Sequence, residues 1–192
     1  MKTIEIKLFT FDELTPEVQE KVIKKNWSIN IDDVDERETI AEYEQELVEL
    51  GFTNAKIYHS GYGSQGDGLS FDAIIDMDKF CDTIAEKRIA TLISNGVIEN
   101  FKISKTSYAN HYCHEYTRYI DVPFIHTFKA SNVEAFLDTL KDKIEAIRLE
   151  HCQKYYRALE TTYYSLMSEE SIKETLIANE YTYREDGTMF NE

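Results

Sequence analysis

Apolar and charged positions alternate at the start of the chain. Ile4, Ile6 and Leu8 are separated by Glu5 and Lys7, the two-residue period of a half-buried strand. The period then lengthens. Thr15-Pro16-Glu17 opens a helix, with threonine to cap it, proline suited to its first turn and glutamate at its positive end. Val18, Val22, Ile23 and Trp27 follow at helical spacing. Ile40, Tyr43, Leu47 and Leu50 form the inner stripe of a second helix, which Gly51 stops. Segments 55–60 and 69–75 predict an antiparallel strand pair. A helix is expected from Asp78 to Asn95, with Phe80, Ile84 and Leu92 inward and Gly96 at its end.

Residues 98–107 and 112–122 predict a second strand pair, rich in Ile, Phe, Tyr, Thr and Val, with Ala109-Asn110 as its turn and Pro123 as its stop. From Ser131 a long helical stripe begins, marked by Val133, Phe136, Leu137, Leu140, Ile144 and Ile147. It continues through Cys152, Tyr155, Tyr156, Leu159 and Tyr163 to Ser165. A run of roughly 34 residues is long for a globular helix, so it either breaks or protrudes. A short helix from Ser168 to Ala178 and a hairpin over 181–190, turning at Asp186-Gly187, complete the chain. Strand pairs and helices without βαβ alternation predict an α+β fold: an antiparallel sheet built from strand pairs, packed by several helices including one long C-terminal helix. With 192 residues, two prolines and no low-complexity linker, residues 1–192 are expected to form a single domain.

The apolar fraction of 42% supplies a core, and thirteen tyrosines carry much of it. Each buried tyrosine needs a partner for its hydroxyl. The net charge of −15 argues against direct binding to nucleic acid or anionic lipid and permits binding to basic surfaces. Nine acids and one base, Arg37, lie between Asp32 and Glu49. That stretch is either a solvated helix face or a surface that mimics DNA or docks on a basic protein. Cys81, Cys113 and Cys152 are isolated, as suits free thiols in a reducing cytoplasm. The charged N-terminus is unlike a signal peptide, and no apolar run nears the ~18 residues of a membrane span. The expectation is a cytoplasmic protein without membrane partners.

Four of the seven glycines fall within Gly61-Tyr62-Gly63-Ser64-Gln65-Gly66-Asp67-Gly68, between two strand candidates. Glycine clusters where the backbone takes positive φ or approaches another group closely. Ser60, Tyr62, Ser64, Gln65, Gly66, Asp67, Gly68 and Ser70 are therefore candidate ligand- or partner-binding residues. An elaborate strand connection with bulges is the competing reading. The segment matches G-x-G-x-x-G, but a strand candidate follows where the dinucleotide motif needs a helix. No P-loop ending and no EF-hand pattern of acids is present.

His114 and Glu115, within Asn110-His111-Tyr112-Cys113-His114-Glu115-Tyr116, join the candidate set, since a histidine beside a carboxylate suits binding or acid–base work. Read as a strand, the segment puts His111, Cys113 and Glu115 on one face and Tyr112, His114 and Tyr116 on the other. Satisfied sheet-surface residues, a metal trio and a Cys113 nucleophile are the alternatives. No nucleophile elbow or two-histidine phosphoesterase pattern appears. No catalytic residue, metal or cofactor is expected.

Phe11-Asp12-Glu13-Leu14, the run His59 to Phe71, and Ala178-Asn179-Glu180-Tyr181 leading into Arg184-Glu185-Asp186-Gly187 together resemble a family of uncharacterised bacteriophage proteins. Its loop reads S-G-F-W-S-Q-G-D-G-A-S-F, and its His-Glu pair is similar. Here Tyr62-Gly63 stands where that family has two aromatics. Some members carry an antitoxin label. The resemblance implies a phage accessory protein acting by binding in the host cytoplasm, through a host protein or a small nucleotide-like ligand. The alternatives are an enzyme on nucleotides or phosphoesters with histidine acid–base groups, and an acidic DNA mimic. The long helix with its tyrosines is where a homodimer would form.

Overall fold

The computed structural model describes residues 5–31, 35–84, 101–106, 112–121 and 131–190. The chain forms two compact units, one made by Glu36–Ala158 and the other by Met1–Asp35 with Leu159–Glu192. The fold is α+β, with a four-stranded and a two-stranded antiparallel sheet and, among the described residues, five α-helices.

The larger unit contains α2 (Arg37–Glu49), β2 (Phe52–His59), β3 (Leu69–Ile75), α3 (Met77–Ile84), β4 (Phe101–Lys105), β5 (Arg118–Asp121) and most of α4 (Ser131–Leu166). Its strands pair in the order β2-β3-β4-β5, every neighbour antiparallel. Alternate residues of β3, Leu69, Phe71, Ala73 and Ile75, are buried. They continue across the sheet as apolar rows: Phe52 faces Ile75, which faces Phe101, and Ala73 faces Ile103, which faces Ile120. Each such side chain contributes about 1.5–3 kcal/mol when buried. A one-residue slip would turn every row to the opposite face, so the rows also fix register. Phe52 meets Phe71 and Phe80 of α3 edge-on, at 5.4 and 5.7 Å between ring centres.

β2 is an edge strand, and α2 helps to cover that edge. The Ile57 N–H donates to Glu44 Oε1 at 2.9 Å, which occupies an otherwise open ladder donor. Helix α4 runs 36 residues without a break. Leu140, Ile144, Arg148, Cys152 and Tyr155 form its buried stripe in this unit. It lies against α2, where Tyr155 stacks on Tyr43 at 4.2 Å and Lys154 Nζ stands 2.5 Å from Glu46 Oε1.

The smaller unit joins β1 (Phe9–Thr10) to β6 (Thr182–Tyr183), with α1 (Pro16–Lys25) and α5 (Glu169–Ala178). Phe11, Leu14, Val22, Ile23, Ile172, Leu176 and Tyr183 are its core. Gln19 Nε2 donates to the Phe11 and Leu14 carbonyls, tying α1 to the turn before it. Asn30 bridges to the Leu166 carbonyl, Ser171 and Thr175. The expected tail hairpin is present, although Asp186-Gly187 fills the last two places of its turn: the Gly187 N–H donates to the Arg184 carbonyl, and the Arg184 N–H to Thr188.

Three expectations are corrected. Residues 5–8 form no strand, and Ile6 and Leu8 are exposed, because β1 pairs with β6 only through Phe9 and Thr10. Residues 112–117 are not the first half of β5. They form an irregular approach and a single 3₁₀ turn, Glu115–Thr117, since a buried Thr117 binds back to the His114 carbonyl and closes a turn there. Trp27, expected on an inner stripe, is exposed. The Leu92–Gly96 end of the third expected helix, the Ala109-Asn110 turn and Pro123 lie outside the described residues.

Tyr183 is fully buried, and its hydroxyl has no partner among the described residues. An unpaired buried hydroxyl costs about 1–3 kcal/mol. Tyr183→Phe should therefore leave thermal stability unchanged or raise it. A clear fall in Tm would reveal a partner for the hydroxyl.

Candidate functional site

The glycine-rich connection between β2 and β3 is braced from within. The Ser60 N–H donates to the Gly68 carbonyl and the Asp67 N–H to the Ser64 carbonyl, each at 3.1 Å. Asp67 Oδ2 accepts the Gly63 and Ser64 N–H groups at 3.0 and 2.6 Å. These bonds, Gly63's first, hold the Asp67 carboxyl below the usual carboxylate range. The base of the loop is clamped as well. The Tyr62 hydroxyl donates to Glu36 Oε1 at 3.1 Å, and the other Glu36 oxygen lies 3.1 Å from His59 Nε2. The Tyr156 hydroxyl of α4 donates to the Gly61 carbonyl at 3.0 Å, beside the Tyr62 ring.

The second half of the site is the run from Tyr112 to Thr117. Thr117 donates to the His114 carbonyl through both its N–H (3.0 Å) and its hydroxyl (2.7 Å). Buried Ser70 Oγ lies 3.3 Å from that hydroxyl. Arg118 donates to Thr117 Oγ1 at 3.2 Å while its Nε stands 2.5 Å from Asp72 Oδ1. Arg148 of α4 is fully buried. It grips Glu145 with Nε and Nη2, at 2.8 and 2.6 Å, and spends Nη1 on the Glu115 carbonyl at 2.8 Å.

Topology brings the two halves together. β3 and β5 are both antiparallel to β4, so their first residues lie at the same end of the sheet. The loop enters β3 there, and the 112–117 run enters β5. Two glycines set the distance of approach. A Cβ on Gly68 would fall 2.6 Å from His114 Cα, and one on Gly66 would enter the Tyr112 ring. Gly66 also has φ +99°, a conformation that L side chains resist.

Between the halves lies an open cleft of about 540 Å³. Gln65, Gly66 and Asp67 line it from the loop; Tyr112, His114, Glu115 and Tyr116 line it from the opposite run. The His114 ring stands 6.1 Å from both Tyr112 and Tyr116, and both tyrosines are exposed. Five of the residues proposed from sequence therefore share the cleft. The others support it: Ser60, Ser64 and Gly68 build the loop, Tyr62 clamps its base, and Ser70 is buried under Thr117. The strand-face division of residues 111–116 does not hold, because His114 and Glu115 line the same cleft. His111 lies outside the described residues.

Tyr112, Tyr116, Glu36 and Arg148 were not singled out as site residues from sequence. The alternation Tyr112-x-His114-x-Tyr116 was a visible signal, whereas nothing near Arg148 in the sequence announces its bond to the Glu115 carbonyl. Cys113 does not line the cleft, and burial pushes the Cys152 thiol up to about 12. Among the described residues no group of three or more His, Cys, Asp or Glu could hold a metal ion. No helix among them is long and apolar enough to cross a membrane.

Residues 36–169 match a family described as a domain of unknown function, DUF8835. The chain belongs to that family, and the matched span includes both halves of the cleft. No curated protein and no solved structure matches the chain.

Gly68→Ala should cost about 1–3 kcal/mol, the usual penalty for overpacking, because His114 backbone blocks the new methyl group. Gly63→Ala should be close to neutral, since nothing lies within 4 Å of a Cβ there. Chemical denaturation of the two variants checks the pair. Asp67 makes a pH prediction. Its depressed folded value means that its loop bonds stabilise the fold above the ordinary carboxylate value of about 3.9 and are lost as pH falls through the lower folded value. The Gly63 and Ser64 amide signals should titrate below that ordinary value, and Asp67→Asn should abolish the step.

Proposed function

We propose that this is a bacteriophage accessory protein that acts by binding in the host cytoplasm, neutralising a host factor such as a defence component. The single observation that carries the reading is the braced cleft, in which two backbone segments present exposed side chains from a fixed frame. Preorganisation of this kind reduces the ordering cost of association. The phage origin rests on the resemblance of the loop and the chain ends to the uncharacterised bacteriophage proteins. A host protein fits the cleft better than a nucleotide-like signal does. Tyr112 and Tyr116 offer stacking faces to either, but Asp67 and Glu115 oppose a phosphate, and no Lys or Arg is among the described lining residues.

The second reading is an enzyme on nucleotides or phosphoesters. His114 and Glu115 line one cleft, and a histidine so placed suits proton transfer. Purification of tagged protein from infected cells separates the readings. Stoichiometric retention of a host protein, lost in Gln65→Ala and His114→Ala, is expected. Retention of a nucleotide would favour the signal-sequestering arm. Turnover of cyclic nucleotides or nucleic acids by the purified protein, abolished by His114→Ala, would replace binding with catalysis.

A further inference from the structure

We infer that the cleft receives a cationic side chain, an arginine above all, presented by a basic segment of a protein partner. This rests on the reading of the cleft as a partner-binding site and specifies what enters it.

Three observations converge. The first is aromatic: Tyr112, His114 and Tyr116 stand in sequence along one wall, and the residues Tyr112 and Tyr116 are 50% and 67% exposed. Exposed tyrosine faces attract a guanidinium through the ring quadrupole. The second is charge. Asp67 and Glu115 line the cleft, and the bonds to Asp67 keep it ionised at neutral pH. Its Oδ2 is occupied by Gly63 and Ser64, which fixes the orientation of the carboxylate. Arg148 of α4 bonds the Glu115 carbonyl, and its fork is closed by Glu145. The Glu115 carboxylate is therefore not consumed by that arginine. The third is the molecule as a whole, whose formal net charge of −15 steers a basic segment toward it and an anionic ligand away. Gln65, with a carbonyl to accept and an amide to donate, adds a neutral contact at the rim.

The chemistry of recognition follows. A guanidinium lies flat against Tyr116 or Tyr112 and donates its edge N–H groups to carboxylate oxygens, a match of plane and fork that an ammonium makes less well. A phosphate would meet two carboxylates and no Lys or Arg among the described lining residues.

The test uses the full chain and short alternating arginine–glycine peptides, with binding followed by chemical-shift changes and calorimetry. Matched peptides carry citrulline or lysine in place of arginine. Citrulline keeps the shape and loses the charge. Binding of the arginine peptide, weaker binding of the lysine peptide and none of the citrulline peptide are expected, with shifts centred on Gln65 and residues 112–116. Glu115→Gln and Tyr116→Ala should each weaken binding about two- to fivefold, the range for exposed ion pairs and cation–π contacts. Glu38→Gln removes the same charge from the exposed face of α2 and serves as the control for general attraction. Equal loss in Glu115→Gln and Glu38→Gln, or equal binding of citrulline and arginine peptides, overturns the inference. If a host protein is still retained from infected cells under either outcome, the binding reading survives without it. Binding of adenosine monophosphate in place of the arginine peptide would also overturn it.

Discussion

At two glycines the loop and the facing run approach each other so closely that a side chain on either glycine would collide with the opposite segment. Gly68 meets the His114 backbone, and Gly66 meets the Tyr112 ring. Contact at this range is tolerated only when both partners are held elsewhere, since interiors close-pack and transmit strain. The loop is held by Asp67 from inside and by Glu36 and Tyr156 from outside. The facing run is held by Thr117, Arg118 and Arg148. Everything the cleft presents depends on that pair of braces.

Arg148 shows the trade involved. It occupies a position in the apolar stripe of α4, between Ile144 and Cys152, where a leucine would satisfy the helical pattern. A buried charge costs several kcal/mol unless it is paired and its remaining donors are used. Here Glu145 closes the fork and the Glu115 carbonyl takes the third bond. A leucine would pack there but would leave the Glu115 carbonyl without its donor. The arginine is best understood as a device of position: it ties the start of the 3₁₀ turn to the long helix.

The acidic composition divides in a similar way. Glu36 serves the loop, Glu44 serves the edge of β2, and Glu46 pairs with Lys154. These carboxylates are structural partners. Glu38, Glu42 and Glu49 on α2 are exposed and supply the field around the molecule. A reading of the whole 32–49 stretch as one functional surface therefore merges two different roles.

Much of the architecture was legible from one dimension. Alternation in residues 69–75, the stripe of α4 and the Pro16 start of α1 each follow from local geometry, so local pattern located β3, α4 and α1, although the Thr15 side chain makes no capping hydrogen bond. The glycine cluster announced close approach, and Gln65, Gly66, Asp67, His114 and Glu115 were already candidates for one site. What the chain could not announce was which hydroxyls and carboxylates would be consumed internally. Ser70 and Asp67 look alike in sequence as polar loop residues, yet one is buried under Thr117 and the other faces the cleft. The strand expected at 112–117 failed for the same reason: its β propensity was outweighed by hydrogen bonds from Thr117 and Arg148, whose partners are set by the sheet and by α4. Local pattern determines which elements form, because neighbours three or four residues apart decide it. Tertiary packing decides which polar groups are tied across the fold, because partners such as Glu36 for Tyr62, the Glu115 carbonyl for Arg148 and the Gly61 carbonyl for Tyr156 lie tens of residues away.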